Sequence, residues 1–340
     1  VTEELYHKTI MTFGACSIYS SLHNIYIAYP SADKTSIYRI YIKDNTITPE
    51  AQGDVPGQVL NQFSMDEYDS HFRIATTTWT NMTTANNVYA LNMSMAIVGR
   101  LENLAPGEHI YSARFMGNKG YLVTFVTIDP LFVIDLSDPH NPSVLGELKI
   151  PGYSDYLHPY DENHLIGIGK HTTEADEGFF AWYQGVKIAI FDVSNVSNPL
   201  QMANYTIGDR GTDSPVLRDH KAFLFDRERK LLVIPVQVAE IDPSEYPGVV
   251  PPFAYGKLVW HGAYIFNITL EEGLSLRGTI THMEHDANIY DSNYYIQRSL
   301  YMENVLYTIS NVKVKMNNLQ DLTFMNEITL SLSSEPVRTP

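Results

Sequence analysis

The chain has 340 residues, of which 44% are hydrophobic and 12% aromatic, so it can bury a large core and does not resemble a disordered polypeptide. This length fits two average domains or one large all-β domain. The formal net charge of −16 at pH 7, without a Lys/Arg run, argues against nucleic acid as a partner, because a surface that binds DNA or RNA must neutralise phosphates.

A short strand, a polar turn and a second short strand recur along the chain. The turn segments, such as 117–120 and 226–229, lie between runs rich in β-forming residues, which is typical of β-hairpins. No segment keeps a helical period for more than about two turns, which disfavours α/β folds. The six predicted hairpins occupy residues 17–29, 63–77, 112–125, 155–169, 221–236 and 298–310.

In a second recurring pattern, an apolar run ends in Asp or Asn, one apolar residue and Ser or Thr. Its four copies are YALNMS (89–94), FVIDLS (132–137), AIFDVS (189–194) and YIFNIT (264–269). Such a run is typical of a buried strand, and an Asx side chain at its end can bond its own backbone. We therefore predict that each copy is a buried strand closed by an Asx turn.

Together, the two patterns give repeats of roughly 45 to 75 residues with four antiparallel strands each. They predict an all-β fold, a β-propeller of four-stranded blades, with about six blades in this chain. We predict one propeller domain over residues 1–330, followed by a C-terminal tail at 331–340. The predicted blades start near residues 17, 63, 112, 155, 221 and 298.

Two segments interrupt the repeat, at residues 171–185 and 240–256. Loops that emerge from a rigid frame commonly hold function, so these insertions are the first places in which we expect a binding site.

Several sequence features bear on the cellular compartment. Cys16 is the single cysteine, which excludes an internal disulfide and a thiolate metal cluster. No run of about 18 apolar residues occurs, so we expect no transmembrane segment. The chain begins with VTEELYHK, without an initiator Met or a hydrophobic signal core, and we expect either a removed leader or a longer polypeptide.

Five Asn-x-Ser/Thr sequons are candidate glycosylation sites, and they are meaningful only in an exported chain. They are Asn81, Asn92, Asn195, Asn204 and Asn267. Asn81 lies in a polar loop and is the best candidate, whereas Asn92 and Asn267 also fit the Asx-turn pattern. The sequons predict an extracellular or cell-surface glycoprotein.

Seven segments carry a resemblance to a known family: FSMDEYD, ARFMGNKGYLVTF, DPLFVIDLSDP, GELKIPGYSDYLHPYDENHLIGIGK, KIAIFDVS, GDRGTDSPVLRDHKAFLFD and RSLYMENVLYTISN. Over nearly its whole length, the chain resembles the secreted β-propeller proteins of archaea and some bacteria that are distantly related to WD40 repeats. The resemblance implies export and a propeller fold, but it carries over no catalytic or binding residue.

Members of that family generally have a further acidic stretch and about two more blades ahead of the region that matches residues 1–30. The resemblance therefore implies a ring of seven or eight blades that is completed by a protein partner, such as the chain's own cleaved N-terminal part. Alternatively, six blades close by themselves, since an open ring would leave sheet edges unpaired.

Two clusters contain side chains that can bind metal ions. Asp66, Glu67 and Asp69 lie in a predicted hairpin turn and offer the oxygen ligands that Ca²⁺ prefers, although they lack the spacing and the Gly of a calcium loop. His282 and His285 could converge on a transition metal if HMEH forms a turn. The alternatives are a solvated turn and surface histidines paired with neighbouring carboxylates.

The first insertion combines acidic and aromatic residues. Glu174, Asp176 and Glu177 precede Trp182 and Tyr183, and acidic groups beside aromatic faces suit a sugar or a cationic partner. We take these five residues as ligand-loop candidates. The alternative is that the aromatic side chains pack the loop onto its blade.

Catalytic motifs such as GxSxG, HExxH and the P-loop are absent from the sequence. The densest polar stretch is GTDSPVLRDH, where we expect Asp213 and Asp219, together with Asp209, to bind turn amides or bridge blades. We therefore predict an exported, non-catalytic binding or assembly module in a surface layer, sheath or filament complex, with protein or glycan partners. The alternative is an extracellular enzyme, either a carbohydrate-active hydrolase or lyase or a metal-dependent oxidoreductase, with its site at the propeller axis.

Overall fold

The computed structural model describes residues 16–43, 46–80, 83–125, 129–175, 180–284 and 288–331. These residues form six antiparallel sheets, in which the strands are hydrogen-bonded in chain order. Five sheets have four strands, and the second has five because its first strand is divided in two, β5 and β6, which both pair with β7. The prediction of an all-β fold with about six four-stranded blades is confirmed.

The first three sheets contain β1 (Ser17–Ser20), β2 (Asn24–Pro30), β3 (Lys34–Lys43), β4 (Thr46–Pro56), β5 (Gln58–Val59), β6 (Met65–Tyr68), β7 (His71–Thr80), β8 (Thr83–Leu91), β9 (Ile97–Leu104), β10 (His109–Met116), β11 (Lys119–Phe125), β12 (Asp129–Asp135) and β13 (Ser143–Ile150). The next three contain β14 (Tyr153–Asp161), β15 (His164–Glu174), β16 (Ala181–Asp192), β17 (Leu200–Ile207), β18 (Leu224–Asp226), β19 (Leu231–Glu240), β20 (Lys257–Thr269), β21 (Gly273–Ile280), β22 (Arg298–Met302), β23 (Val305–Ile309), β24 (Lys313–Asn318) and β25 (Phe324–Thr329).

Helices in the described ranges are single 3₁₀ turns: Gln62–Ser64, Pro215–Leu217, His220–Ala222, Pro243–Glu245 and Ser292–Tyr294. None of them is long and apolar enough to cross a membrane.

The Asx turns close three of the four third strands on which they were predicted. The Oδ1 atoms of Asn92, Asp135 and Asp192 each accept a hydrogen bond from the backbone N–H two residues later, at 3.0, 2.9 and 2.8 Å. At the fourth copy the prediction of an Asx turn is wrong. There β20 continues two residues further, and Asn267 Oδ1 accepts instead from Arg277 Nε at 2.9 Å.

Where two successive sheets meet, the fourth strand of one sheet faces the turn after the third strand of the next sheet. A small residue recurs on the fourth strand at this contact. A Cβ placed on Gly53, Gly99 or Gly146 would lie 2.1, 2.0 or 2.3 Å from a carbonyl oxygen of that turn. At a later contact both residues are small: Ala203 lies on the fourth strand β17, and Gly273, the first residue of β21, faces its Cβ. Successive sheets therefore approach each other more closely than a larger side chain would allow.

The chain divides into two compact units, residues 1–165 with 192–200 and residues 166–191 with 201–340. In the first unit, one apolar cluster that includes Tyr26 and Phe72 joins the first and second sheets, and another that includes Leu122 and Ile134 joins the second and third. In the second unit, Leu231, Val233, Ile265 and Leu306 belong to a cluster between the fifth and sixth sheets. Each core thus lies between the faces of neighbouring sheets, as expected for stacked blades.

Candidate ligand-binding site

The second unit contains a cavity of about 420 Å³, a volume within the range of small-molecule sites. Its walls come from both insertions and from the turn between β17 and the 3₁₀ helix that starts at Pro215. The described lining residues are Lys170, Tyr183, Gln184, Arg210, Gly211, Thr212, Asp213, Gln237 and Tyr255.

The two insertions are bound to each other at this cavity. Gln184 Nε2, at the end of the first insertion, donates to the carbonyl oxygen of Pro252 in the second at 2.9 Å. Beside this bond, the rings of Trp182 and Phe253 lie 5.9 Å apart, centroid to centroid. The insertions therefore form one structured wall rather than two independent loops.

The turn that forms the floor is held against β19 by hydrogen bonds. Thr212 Oγ1 donates to the carbonyl oxygen of Ala239 at 3.1 Å and accepts from its N–H at 2.9 Å. Asp209 Oδ2 accepts from the N–H of Ile241 at 2.8 Å, and Asp213 exchanges two backbone hydrogen bonds with Gln237. Asp209 thus binds a turn amide, as predicted, and the floor is fixed by buried bonds.

Gly211 makes the approach of an aromatic ring possible. Its φ of +110° is a backbone conformation that side chains with a Cβ rarely adopt. A Cβ at this position would also lie 2.7 Å from Cε1 of Tyr255. The glycine therefore both shapes the turn and admits the Tyr255 ring to the rim of the cavity.

Arg210 is held between two aromatic faces. The carbon Cζ of its guanidinium lies 4.8 Å from the ring centroid of Trp182 and 5.7 Å from that of Tyr255, which are cation–π distances. Nη1 donates to the carbonyl oxygen of Tyr183 at 3.2 Å, whereas Nε is buried without a partner in the described part of the chain. None of the described carboxylates pairs with this guanidinium, so its charge is not neutralised by the protein there.

A second set of charges surrounds Asp213. Its carboxylate forms an ion pair with Arg218 and lies 3.8 Å from Nζ of Lys170, which also donates to the carbonyl oxygen of Thr212. The single acidic group among the described lining residues is therefore already paired, and the cavity has an excess of positive charge in a chain whose net charge is −16.

A neighbouring cavity of about 390 Å³ has the opposite charge. It shares Tyr255 with the first cavity and is lined by Glu240, Asp242, Glu245 and Lys257, among others. Hydrogen bonds from the hydroxyl and N–H of the residue two positions later lower the pKa of Asp242, which keeps its carboxylate ionised. Lys257 Nζ pairs with Glu245 Oε1 at 2.5 Å, so the lining keeps an excess of negative charge.

Of the five ligand-loop candidates, Trp182 stacks on Arg210 and Tyr183 lines the larger cavity. Glu174 is exposed at the end of β15, while Asp176 and Glu177 lie outside the described residues. The sequence pattern did not single out Arg210, Lys170, Gln237 or Tyr255. The second insertion pointed to Tyr255, but the role of Arg210 depends on rings that are distant in sequence, and sequence pattern alone gives no signal for it.

The candidate calcium ligands have other partners in the first unit. Asp66 pairs with Arg73. Glu67 Oε2 accepts from Tyr26 Oη at 2.6 Å, from Asn24 Nδ2 at 2.9 Å and from a nearby serine hydroxyl. Asp69 is one of two residues with positive φ in the tight turn between β6 and β7. The three side chains are thus not gathered into a cluster of metal ligands, and the calcium site stays a prediction.

The candidate transition-metal ligands lie in the second unit. His282 is buried, its Nδ1 lies 2.9 Å from Ser310 Oγ and its Nε2 lies 2.8 Å from Thr308 Oγ1, so both ring nitrogens have hydroxyl partners. His285 lies outside the described residues. Over the residues that the structure describes, no three His, Cys, Asp or Glu side chains are grouped so that they could hold a metal ion.

The sequons differ in accessibility. Asn195 and Asn204 are exposed, whereas Asn92 is half-buried in its Asx turn. Asn267 is bonded to Arg277 and its Thr269 is buried. Asn81 lies outside the described residues.

The curated proteins that this chain matches are archaeal. It is 38% identical to a protein of Methanocaldococcus jannaschii over 263 residues, which are 76% of this chain and 35% of that protein. It is 39% identical to a protein of Archaeoglobus fulgidus over 202 residues, which are 58% of this chain and 30% of that protein. The chain thus spans about a third of the length of these relatives.

Among solved structures, the chain is similar to AztD from Citrobacter koseri, with 12% identity, a TM-score of 0.48 and coverage of 92% of this chain and 70% of that one. The Pan2 WD40 domain from Neurospora crassa gives 8% identity, a TM-score of 0.45 and coverage of 92% and 77%. Similarity at this level carries no argument about function. The family model for the β-propeller domain matches residues 2–322, so the chain belongs to the β-propeller domain family.

Proposed function

We propose that this β-propeller is an exported binding module of a cell surface, and that the cavity between its two insertions is the binding site. The observation that carries the proposal is Arg210, a cation placed between Trp182 and Tyr255 and paired with none of the described carboxylates. A charged group beside aromatic rings, with N–H donors that no described residue occupies, is the composition of a recognition site. The sequons and the family resemblance support the export of the chain.

Among its described lining residues, the larger cavity by itself lacks the pair of carboxyl groups that a glycoside hydrolase uses. Glycoside hydrolases generally use two carboxyl groups about 5 to 10 Å apart. The described lining residues provide one, Asp213, and that carboxylate is engaged by Arg218. Lys170 and Arg210 instead supply positive charge that suits the binding of an anionic group.

Co-sedimentation of the purified chain with isolated archaeal cell envelopes tests this proposal. We expect the wild-type chain to sediment with envelopes and the Arg210→Ala variant to bind about tenfold more weakly. Arg229→Ala is the matched control, because Arg229 lies over the ring of Tyr301, 4.8 Å from its centroid, in the same unit but away from the cavity. Equal binding of wild type and Arg210→Ala, or turnover of an envelope glycan by the chain, would overturn the proposal.

A further inference from the structure

We infer that the ligand is a saccharide with a single carboxylate, bound with its acidic sugar at Arg210 and a neutral sugar in the adjoining acidic cavity. This inference rests on the proposed function, which it makes specific. Its basis is the opposite charge of two cavities that share Tyr255.

The N–H donors of Arg210 that have no partner among the described residues indicate where the carboxylate of the ligand binds. Arg210 makes one side-chain hydrogen bond within the described part of the chain, from Nη1 to Tyr183. A guanidinium presents several N–H groups in a fixed plane and binds a carboxylate through two parallel bonds. Contact with the rings of Trp182 and Tyr255 restricts the motion of the guanidinium, which lowers the entropy cost of binding a ligand there.

The aromatic and amide side chains that line the cavity indicate that the carboxylate belongs to a sugar. The side chain of Tyr255 is 67% exposed and that of Tyr183 is 41% exposed, although both line the cavity. Exposed aromatic rings offer apolar faces to the C–H faces of a pyranose. Gln184 and Gln237 in the walls carry amide oxygens and nitrogens that match sugar hydroxyls.

The adjoining cavity distinguishes this ligand from a polyanion. Glu240, Asp242 and Glu245 outweigh Lys257 there, so a second carboxylate next to the first would meet like charge. Sugar hydroxyls, in contrast, can donate to these carboxylates. An acidic peptide and a polymer made only of uronic acids are therefore disfavoured, whereas an acidic sugar linked to a neutral one satisfies both cavities.

The test uses a disaccharide of a hexuronic acid linked to a neutral hexose, its methyl ester and a hexaglutamate peptide. Titration calorimetry gives the affinities. We expect the free acid to bind at least about tenfold more tightly than the ester or the peptide. Arg210→Ala should lose this preference and Arg210→Lys should keep part of it, because Lys retains the charge without the planar fork. Thermal unfolding of each variant confirms that it is folded.

The results can distinguish failure of the inferred ligand from failure of the proposed binding function. If the acid and its ester bind equally, or envelopes bind while no sugar does, the inference is overturned and the binding module stands. Tighter binding of hexaglutamate would overturn it in favour of an acidic protein partner. If neither the sugars nor the envelopes bind, the proposed function falls as well.

Discussion

Whether a buried polar side chain stabilises the fold depends on its hydrogen-bond partners. Tyr26 and Tyr121 are both buried on the second strand of a hairpin. Burial and the hydrogen bond to Glu67 raise the pKa of Tyr26, whereas burial alone raises the pKa of Tyr121 to about 12, since its hydroxyl has no partner among the described residues. The same side chain is therefore satisfied at one position and unsatisfied at the other.

This contrast makes a prediction for two matched substitutions. Tyr26→Phe removes the donor to Glu67 and should lower the free energy of unfolding by about 1–2 kcal/mol. Tyr121→Phe removes an unpaired buried hydroxyl and should leave that free energy unchanged or raise it by up to about 1 kcal/mol. Urea denaturation measures both, and equal destabilisation by the two variants would contradict the argument.

Two histidines that the fold shields from water, His158 in part and His282 fully, make stability depend on pH. Burial, followed by the nearby Arg114, lowers the pKa of His158 from 6.5 to about 4, and burial, followed by two lysines, lowers that of His282 to about 3. Below pH 6.5 the unfolded chain therefore takes up protons that the folded chain does not, and stability falls as the pH decreases. We expect a loss of about 1.4 kcal/mol per pH unit for each histidine between pH 6 and 4.5.

Denaturation between pH 7.5 and 4.5 measures this slope. The carboxyl groups with lowered pKa, such as Asp54 and Asp192, have a reference value of 3.8, so they contribute mainly below this window. His282→Asn should reduce the slope by the share of one proton. An unchanged slope would contradict the assignment to His282.

At the candidate site, the sequence pointed to the two insertions that line the cavity, but to only some of the side chains that line it. Trp182 and Tyr183 were predictable because aromatic residues inside an insertion have no strand position to fill. Arg210 was not, because a single arginine in a glycine-rich turn is ordinary until Trp182 and Tyr255 are seen to enclose it. Convergence of distant segments is the information that one sequence lacks.

At the scale of strands and turns, local patterns predicted more. Each of the six predicted hairpins contains the first two strands of a sheet, because turn residues and alternating strands are local signals. The sixth sheet also has an Asx turn, in which Asn318 Oδ1 accepts from the N–H of Gln320 at 2.8 Å, and the pattern missed it by requiring Ser or Thr. The bond needs only the Asx oxygen and a backbone N–H two residues later.

The close joints between sheets lead to a prediction for the recurring glycine. Gly99→Ala would place a Cβ 2.0 Å from the carbonyl oxygen of Pro139, so the two sheets must separate. We expect the free energy of unfolding to fall by about 1–3 kcal/mol, the usual cost of overpacking. Ala203→Gly is the control at the equivalent position, where the loss of a Cβ should cost less than about 1 kcal/mol. A neutral Gly99→Ala would mean that these joints relax without cost.

At the scale of the whole molecule, repetition explains why the fold was predictable and the ligand was not. Four-stranded units that recur along a chain determine the architecture, whatever each loop binds. The site departs from the repeat, since it lies where the two insertions meet. Its excess positive charge also opposes the net charge of −16, so composition alone does not predict the charge of this cavity.

The proposed export of the chain leads to a prediction for its sequons. In material from an archaeal cell surface, we expect glycans on Asn195 and Asn204, whose side chains are exposed, and none on Asn267. Arg277 occupies the Oδ1 atom of Asn267, and Thr269 of that sequon is buried, so an enzyme that acts on the folded chain cannot reach it. Glycopeptide mass spectrometry after proteolysis measures the occupancy of each site. Unmodified Asn195 and Asn204 in a chain recovered from the cytosol would contradict export, whereas a glycan on Asn267 would show that modification precedes folding of β20.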